Sequence, residues 1–202
     1  MKVGFIVECG PKGAETEVIP FLAREIDKKV NPDVITLEKK TILKQECGKW
    51  AKALLERGCK KVIIMWDLLP DWGEYEGKGC QHDDRGEIFK SLEEVGLIVG
   101  DKRIFLICIH KMLEAWIIAD ERALSDFLST KAHKVPVKKQ KDPESIRDPK
   151  STLISLFKKS GSRFNHYNDT VHAIKIIQRV PDLNRLRNCD SFRRFEEKLT
   201  MK

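Results

Sequence analysis

The chain has 202 residues, 41% of them hydrophobic and 34% charged, with a formal net charge of +7. That composition fits a globular protein with one sizeable core, or one core and a small appendage. Its apolar stretches fall short of the roughly 20 residues that cross a bilayer, and the N-terminus enters an apolar run with no secretory or transit-peptide organisation. A cytoplasmic protein that stays out of the membrane is therefore expected.

The first element is Lys2–Val7 (KVGFIV), a short continuous run rich in β-branched and aromatic residues, the pattern of a strand buried in a parallel sheet. It stops on Glu8. Residues 9–13 (CGPKG) form a tight turn, and residues 14–29 are predicted as a helix with Val18, Ile19, Leu22 and Ile26 on one face. Asn31-Pro32-Asp33 breaks that helix, and residues 34–37 form a short second strand. Residues 41–58 are a second helix, with Gly58 ending it. The third strand, residues 61–66 (KVIIMW), stops on Asp67. Residues 68–81 hold Pro, Asp, Gly and few aliphatics, so they form a loop over the strand edge. Asp84-x-x-Glu87 reads as a capping box for a helix running to about Val95. The fourth strand, residues 103–109 (RIFLICI), runs into His110, and residues 110–128 are predicted as one helix with a wide apolar face. Trp116 belongs to that face as core. The strand–helix alternation predicts a doubly wound α/β domain over residues 1–128, a mostly parallel four-stranded sheet flanked by helices.

The composition then changes. Residues 131–141 (KAHKVPVKKQK) carry five lysines without helical periodicity, so residues 129–147 read as an exposed basic linker or lid. Residues 148–202 form a basic helical extension packed on the same core. One helix opens at Asp148-Pro149-Lys150 with Pro149 in its first turn, a second covers residues 169–180, and a final helix or pair closes residues 183–199. Residues 1–120 hold 19 Lys and Arg against 21 Asp and Glu, whereas residues 121–202 hold 19 against 10. A basic half beside an acidic edge suits a polyanion held over a cation site, although lysine-rich faces are also ordinary solvated helix surfaces. The six cysteines show no C-x-x-C spacing, and Cys80-x-His82 alone is too little for zinc, so reduced thiols are expected.

Ligands of open parallel sheets bind beyond the carboxyl ends of the strands. Glu8 and Asp67 are delivered there from distant parts of the chain, and Glu114 follows the fourth strand by one helical turn. Carboxylates gathered at that edge suggest a hard-cation site, Mg²⁺ or Mn²⁺; Glu8 and Asp67 would serve equally as caps for the helices that follow. Asp71 could add an oxygen or be a solvated loop acid. His110 and Glu114 stand at i and i+4, as a ligand pair, as a base and its orienter, or as a surface polar pair. The stretch from Gly10 to Gly13 lacks the G-x-x-x-x-G-K-[ST] pattern of a P-loop.

VECG followed by a helix, then VIIMWD, HKMLEAWIIAD and DPKSTLISL, resemble a bacterial Toprim-like family, the domain of unknown function 4276, often encoded beside AAA-type ATPases. The resemblance implies a Toprim/Rossmann-like fold, metal-dependent phosphodiester cleavage of the nuclease type, a possible ATPase partner and a role in phage defence. Toprim domains place a Glu after the first strand and Asp-x-Asp after the third. Glu8 and Asp67 match; the second Asp falls on Leu69, unless Asp71 or Glu114 substitutes. The residue reading and the resemblance together give Glu8, Asp67, His110 and Glu114 as expected catalytic residues, Glu8, Asp67, Asp71 and Glu114 as metal ligands, and Lys138, Lys139, Lys141 and Lys150 as nucleic-acid contacts. The alternative that Leu69 raises is a catalytically weakened subunit that binds nucleic acid or a partner without cutting.

Overall fold

The four apolar runs pair as one sheet. β1 (Lys2–Val7), β2 (Asn31–Thr36), β3 (Lys61–Asp67) and β4 (Ile104–Ile109) lie in the order β2-β1-β3-β4, every pairing parallel. The computed structural model describes residues 1–69, 81–98, 100–161, 164, 166–180 and 183–201. β1 and β3 are central and covered on both faces, which is why their sequences are apolar throughout instead of alternating. From β1 the chain steps outward to β2 and then returns across β1 to β3. The winding direction therefore reverses between β1 and β3, where Val7 lies in register with Met65.

That reversal distributes the helices. One face of the sheet, with Phe5, Val7, Ile63, Met65 and Ile107, packs on α1 (Glu15–Ile26) and on the later helices. The other, with Ile6, Val62, Ile64 and Trp66, packs on α2 (Lys40–Glu56) and α3 (Gln81–Glu94). Helices α2 and α3 touch at Gly48, where a Cβ would lie 2.0 Å from the Ser91 carbonyl oxygen. The Gly48 amide donates to Ser91 Oγ at 3.0 Å. The result is a Rossmann-like α/β fold.

Several boundaries differ from the sequence reading. β2 takes in Asn31 and Pro32, which the edge position permits because an edge residue can lack a donor. α3 begins at Gln81, so Asp84 is no cap. It is buried inside the helix, accepting from Trp66 Nε1 at 3.0 Å. The helix expected over residues 110–128 is two. Lys111 adopts a left-handed φ of 64°, and α4 (Glu114–Ala119) starts only after it. Asp120 is extended, and its Oδ1 accepts from the amides of Arg122 and Ala123, opening α5 (Glu121–Leu128).

The C-terminal helices are α6 (Pro149–Lys158), α7 (Asp169–Ile177) and α8 (Asp190–Thr200). Asp148 caps α6 through the Ser151 amide at 2.8 Å, with Pro149 at its first position. Trp116 is fully buried, its ring 5.2 Å from Phe192 and 5.8 Å from Phe195, while Phe195 lies 6.2 Å from Phe5 of β1. Trp116 Nε1 donates to Ser191 Oγ at 2.8 Å, satisfying the indole in the core. Phe195 and Phe192 thus belong to the same core as β1. Lys61 closes the far end of α8, donating to the carbonyls of Lys198, Leu199 and Met201. The segment between α5 and α6 keeps Lys131, Lys134, Lys138, Lys139 and Lys141 exposed, but Val135 is buried and held by Ser125 and Ser129. Cys9, Cys47, Cys59, Cys108 and Cys189 are free thiols. Among the described residues no helix is long and apolar enough to cross a membrane.

Candidate functional site

Glu8 and Asp67 leave the carboxyl ends of β1 and β3, the neighbours between which the winding reverses. Ligands of open α/β sheets bind in the crevice at such a reversal. The backbone around both is tied down. The amides of Leu37 and Glu38 donate to the carbonyls of Val7 and Cys9, and those of Leu68 and Leu69 to Ile109 and Lys111. The pleat sends Glu8 toward the α2 face with Trp66, and Asp67 toward the α1 face. At the rim the two carboxyls still lie within each other's field. Among the described residues Glu8 Oε2 and Asp67 Oδ1 are both shut off from solvent without a hydrogen-bond partner.

The electrostatic consequence is large. Burial raises the Glu8 carboxyl from 4.5 to about 8, with Lys40 pulling it down and Glu15 pushing it up. Burial also lifts Asp67 well above the usual carboxylate range, and Glu8, Glu15 and Glu114 add to the lift. Near neutral pH such a set holds protons that a counter-cation would displace.

On the Asp67 side a cleft of about 80 Å³ is bordered by Glu15, Glu114, Lys150, Tyr167 and Asp169. Glu15 opens α1 directly after a turn closed by Gly13 N–H donating to the Gly10 carbonyl at 2.8 Å. A Cβ on Gly13 would meet Cys9 Sγ at 2.6 Å, so only glycine lets this turn close over Cys9. Burial raises Glu15 as well. Glu114, first residue of α4 and 6% exposed, is raised by burial to about 7, with Lys150 opposing. Lys150 Nζ bridges two acids, 2.8 Å from Asp169 Oδ2 and 3.9 Å from Glu114 Oε1. Although burial acts to raise Asp169, this contact keeps it low. Tyr167 is buried beside Glu114, and burial and that carboxylate push its phenol well up.

Oxygen-only donors, with Glu8 Oε2, Asp67 Oδ1 and the Tyr167 hydroxyl orphaned among the described residues, fit a hard divalent cation such as Mg²⁺ or Mn²⁺. Among the described residues no three His, Cys, Asp or Glu side chains form a closed ligand group. Mg²⁺ needs only one or two protein carboxylates, since water and substrate phosphate fill the rest of its shell.

The family model described as Domain of unknown function (DUF4276) matches residues 12–200. The chain belongs to that family. Comparison with curated proteins and with solved structures gives no match.

In this DUF4276 chain Asp67, Glu114 and Lys150 line one cleft, with Glu8 in electrostatic reach of Asp67, while His110 does not join them. Its side chain is 39% exposed, with Nδ1 4.0 Å from Glu144 Oε2, in a separate depression shared with Lys141 and Asn188. The expected i, i+4 pairing with Glu114 fails because the left-handed turn at Lys111 separates the two before any helix begins. Lys138, Lys139 and Lys141 are exposed on the segment after α5, and Lys150 is engaged with Asp169. Asp71 and Cys80 lie outside the described residues. Leu69, two residues beyond Asp67, is half-buried.

Glu15, Tyr167, Asp169 and Lys40 were missed. Glu15 had a local signal, an acid opening the helix directly after the glycine turn that follows Glu8. Tyr167 and Asp169 had none, because they meet Asp67 only through the packing of α7 on α1 and α4.

Proposed function

We propose that this chain is a Toprim-like, Mg²⁺- or Mn²⁺-dependent phosphodiester-cleaving protein of the nuclease type, acting on nucleic acid in the cytoplasm. One observation carries the reading: Glu8 Oε2 and Asp67 Oδ1 are buried and without hydrogen-bond partners among the described residues, at the point where the sheet's winding reverses. Glu8 and Asp67 would hold the cation, with Glu15 or Glu114 as a further oxygen ligand. A bound divalent cation would supply Lewis-acid polarisation of a phosphate oxygen and make water a better nucleophile near neutral pH. Glu114, with its carboxyl at about 7, is suited to take a proton from that water. Lys150 places an ammonium in the cleft for a phosphate oxygen, and Lys138, Lys139 and Lys141 hold the polyanion outside it. An AAA-type ATPase partner and a setting in phage defence rest on the family resemblance.

Calorimetric titration with Mg²⁺ and Mn²⁺, followed by cleavage assays on single- and double-stranded DNA and RNA, tests the reading. Cation binding with metal-dependent cleavage is expected; a wild type that binds neither cation refutes it. Leu69 favours a second reading, a subunit that binds nucleic acid or a partner without cutting. Cation and nucleic-acid binding with no cleavage on any substrate would select it.

A further inference from the structure

Beneath the rim, on the sheet face opposite the cleft, lies a pair of opposite charges that the reading above does not use. Lys40, first residue of α2, is 4% exposed, and Asp84 of α3 is 3% exposed. Lys40 Nζ donates to the Leu68 carbonyl at 2.8 Å and lies 3.9 Å from Asp84 Oδ2. The same Asp84 oxygen accepts from Trp66 Nε1 at 3.0 Å. Lys44 Nζ, 3.4 Å from Asp84 Oδ1 and 2.8 Å from Glu87, steadies the carboxylate from its outer side.

The pair therefore grips the residues on both sides of Asp67, the indole of Trp66 before it and the carbonyl of Leu68 after it. It does so from the sheet face that carries Trp66 and α2. Burying an ion pair is costly, and replacing one with apolar packing is often neutral or better for stability, so stability alone does not account for it. A supporting contact that fixes the angle of a ligand is a recognised use of such groups.

We propose that the buried Lys40–Asp84 pair is a positioning device for the rim carboxylates, fixing the backbone on which Asp67 stands so that it and Glu8 can act on one cation. This rests on the metal-site reading, and the experiment separates the two. Mn²⁺ affinity is measured by calorimetry for the wild type, Lys40→Met, Lys40→Arg and Lys40→Met/Asp84→Asn, with circular dichroism and thermal melts as controls. In the double variant both charges are gone and an acceptor for Trp66 remains. The expected result is at least a tenfold weaker Kd for Lys40→Met and the double variant at unchanged secondary structure, with most of the affinity recovered in Lys40→Arg. Wild-type affinity in Lys40→Met or in the double variant would overturn the proposal. Where neither folds, the ammonium resonance of Lys40 in the wild type, followed by ¹H–¹⁵N NMR, decides: it shifts on Mg²⁺ addition, and a resonance unmoved at saturation overturns the proposal. No cation binding by the wild type would overturn the metal-site reading, and this proposal with it.

Discussion

Raising the pH should destabilise the cation-free protein, and a divalent cation should reverse the effect. The folded state holds Glu8 at about 8 where the unfolded chain has it at 4.5. Between those values the native protein keeps a proton that the unfolded chain releases, so stability falls as pH rises through the window and the loss is complete above about 8. One pKa unit corresponds to about 1.36 kcal/mol, so Glu8 alone contributes a loss on the order of 3–5 kcal/mol between pH 5 and 9. Glu114, raised to about 7, adds a loss in the same direction, though the two acids share one field and their effects do not sum. Asp148 and Asp169 are held low instead, by Ser151 and by Lys150 against burial, and their support disappears only in acid, outside this window. Guanidinium unfolding from pH 5 to 9 in EDTA should show the decline, and Glu8→Gln should flatten most of it. With Mg²⁺ or Mn²⁺ at a hundred times its Kd, stability should rise by about 2.7 kcal/mol, because only the native state binds the ion. The cation's effect should grow with pH, since the ion displaces protons from its ligands. A profile flat from pH 5 to 9, identical in EDTA and in Mn²⁺, would refute the reasoning.

Nucleic-acid affinity should fall steeply with salt, with log K dropping by about 0.9 per unit of log salt for each phosphate contact on duplex DNA. Replacing Lys138, Lys139 and Lys141 with Ala should flatten that slope by about 2–3 units; an unchanged slope would place the contacts elsewhere. Glu114→Gln should cut any metal-dependent cleavage by about a hundredfold or more, whereas Leu69→Asp, which adds a carboxylate two residues from Asp67, should raise cation stoichiometry or rate if the missing motif Asp limits the site. Gly48→Ala should lower the melting temperature, because its Cβ would fall 2.0 Å from the Ser91 carbonyl oxygen and force α2 from α3; overpacking of this kind costs about 1–3 kcal/mol or more.

The sheet could be read from the sequence because burial on both faces leaves an unmistakable trace, as in KVGFIV and KVIIMW. Boundaries were lost where tertiary context overrode local chemistry. Pro32 looked like a breaker but sits in an edge strand, and Asp84 looked like a cap but is drawn inward by the Trp66 indole and Lys40. The run from His110 to Leu128 has the apolar spacing of one helix. Nothing in that spacing reveals a left-handed Lys111, or an Asp120 that ends one helix and begins the next. Of the site, the strand-end acids were legible because a parallel sheet fixes where its carboxyl ends go. Tyr167 and Asp169 were not, since they reach the rim from another part of the chain.

The aromatic junction of Trp116, Phe192 and Phe195 on Phe5 has a consequence for timing. One face of the sheet is covered by α8, which follows every strand in the chain, and the cleft's outer wall comes from Lys150, Tyr167 and Asp169, which also follow the sheet. A ribosome-bound chain up to α5 therefore carries Glu8, Asp67 and Glu114 while lacking both the lysine that bridges the cleft and the aromatic wedge that shuts the core. The cleft beside Asp67 is thus complete only once α6 and α7 have packed against the sheet.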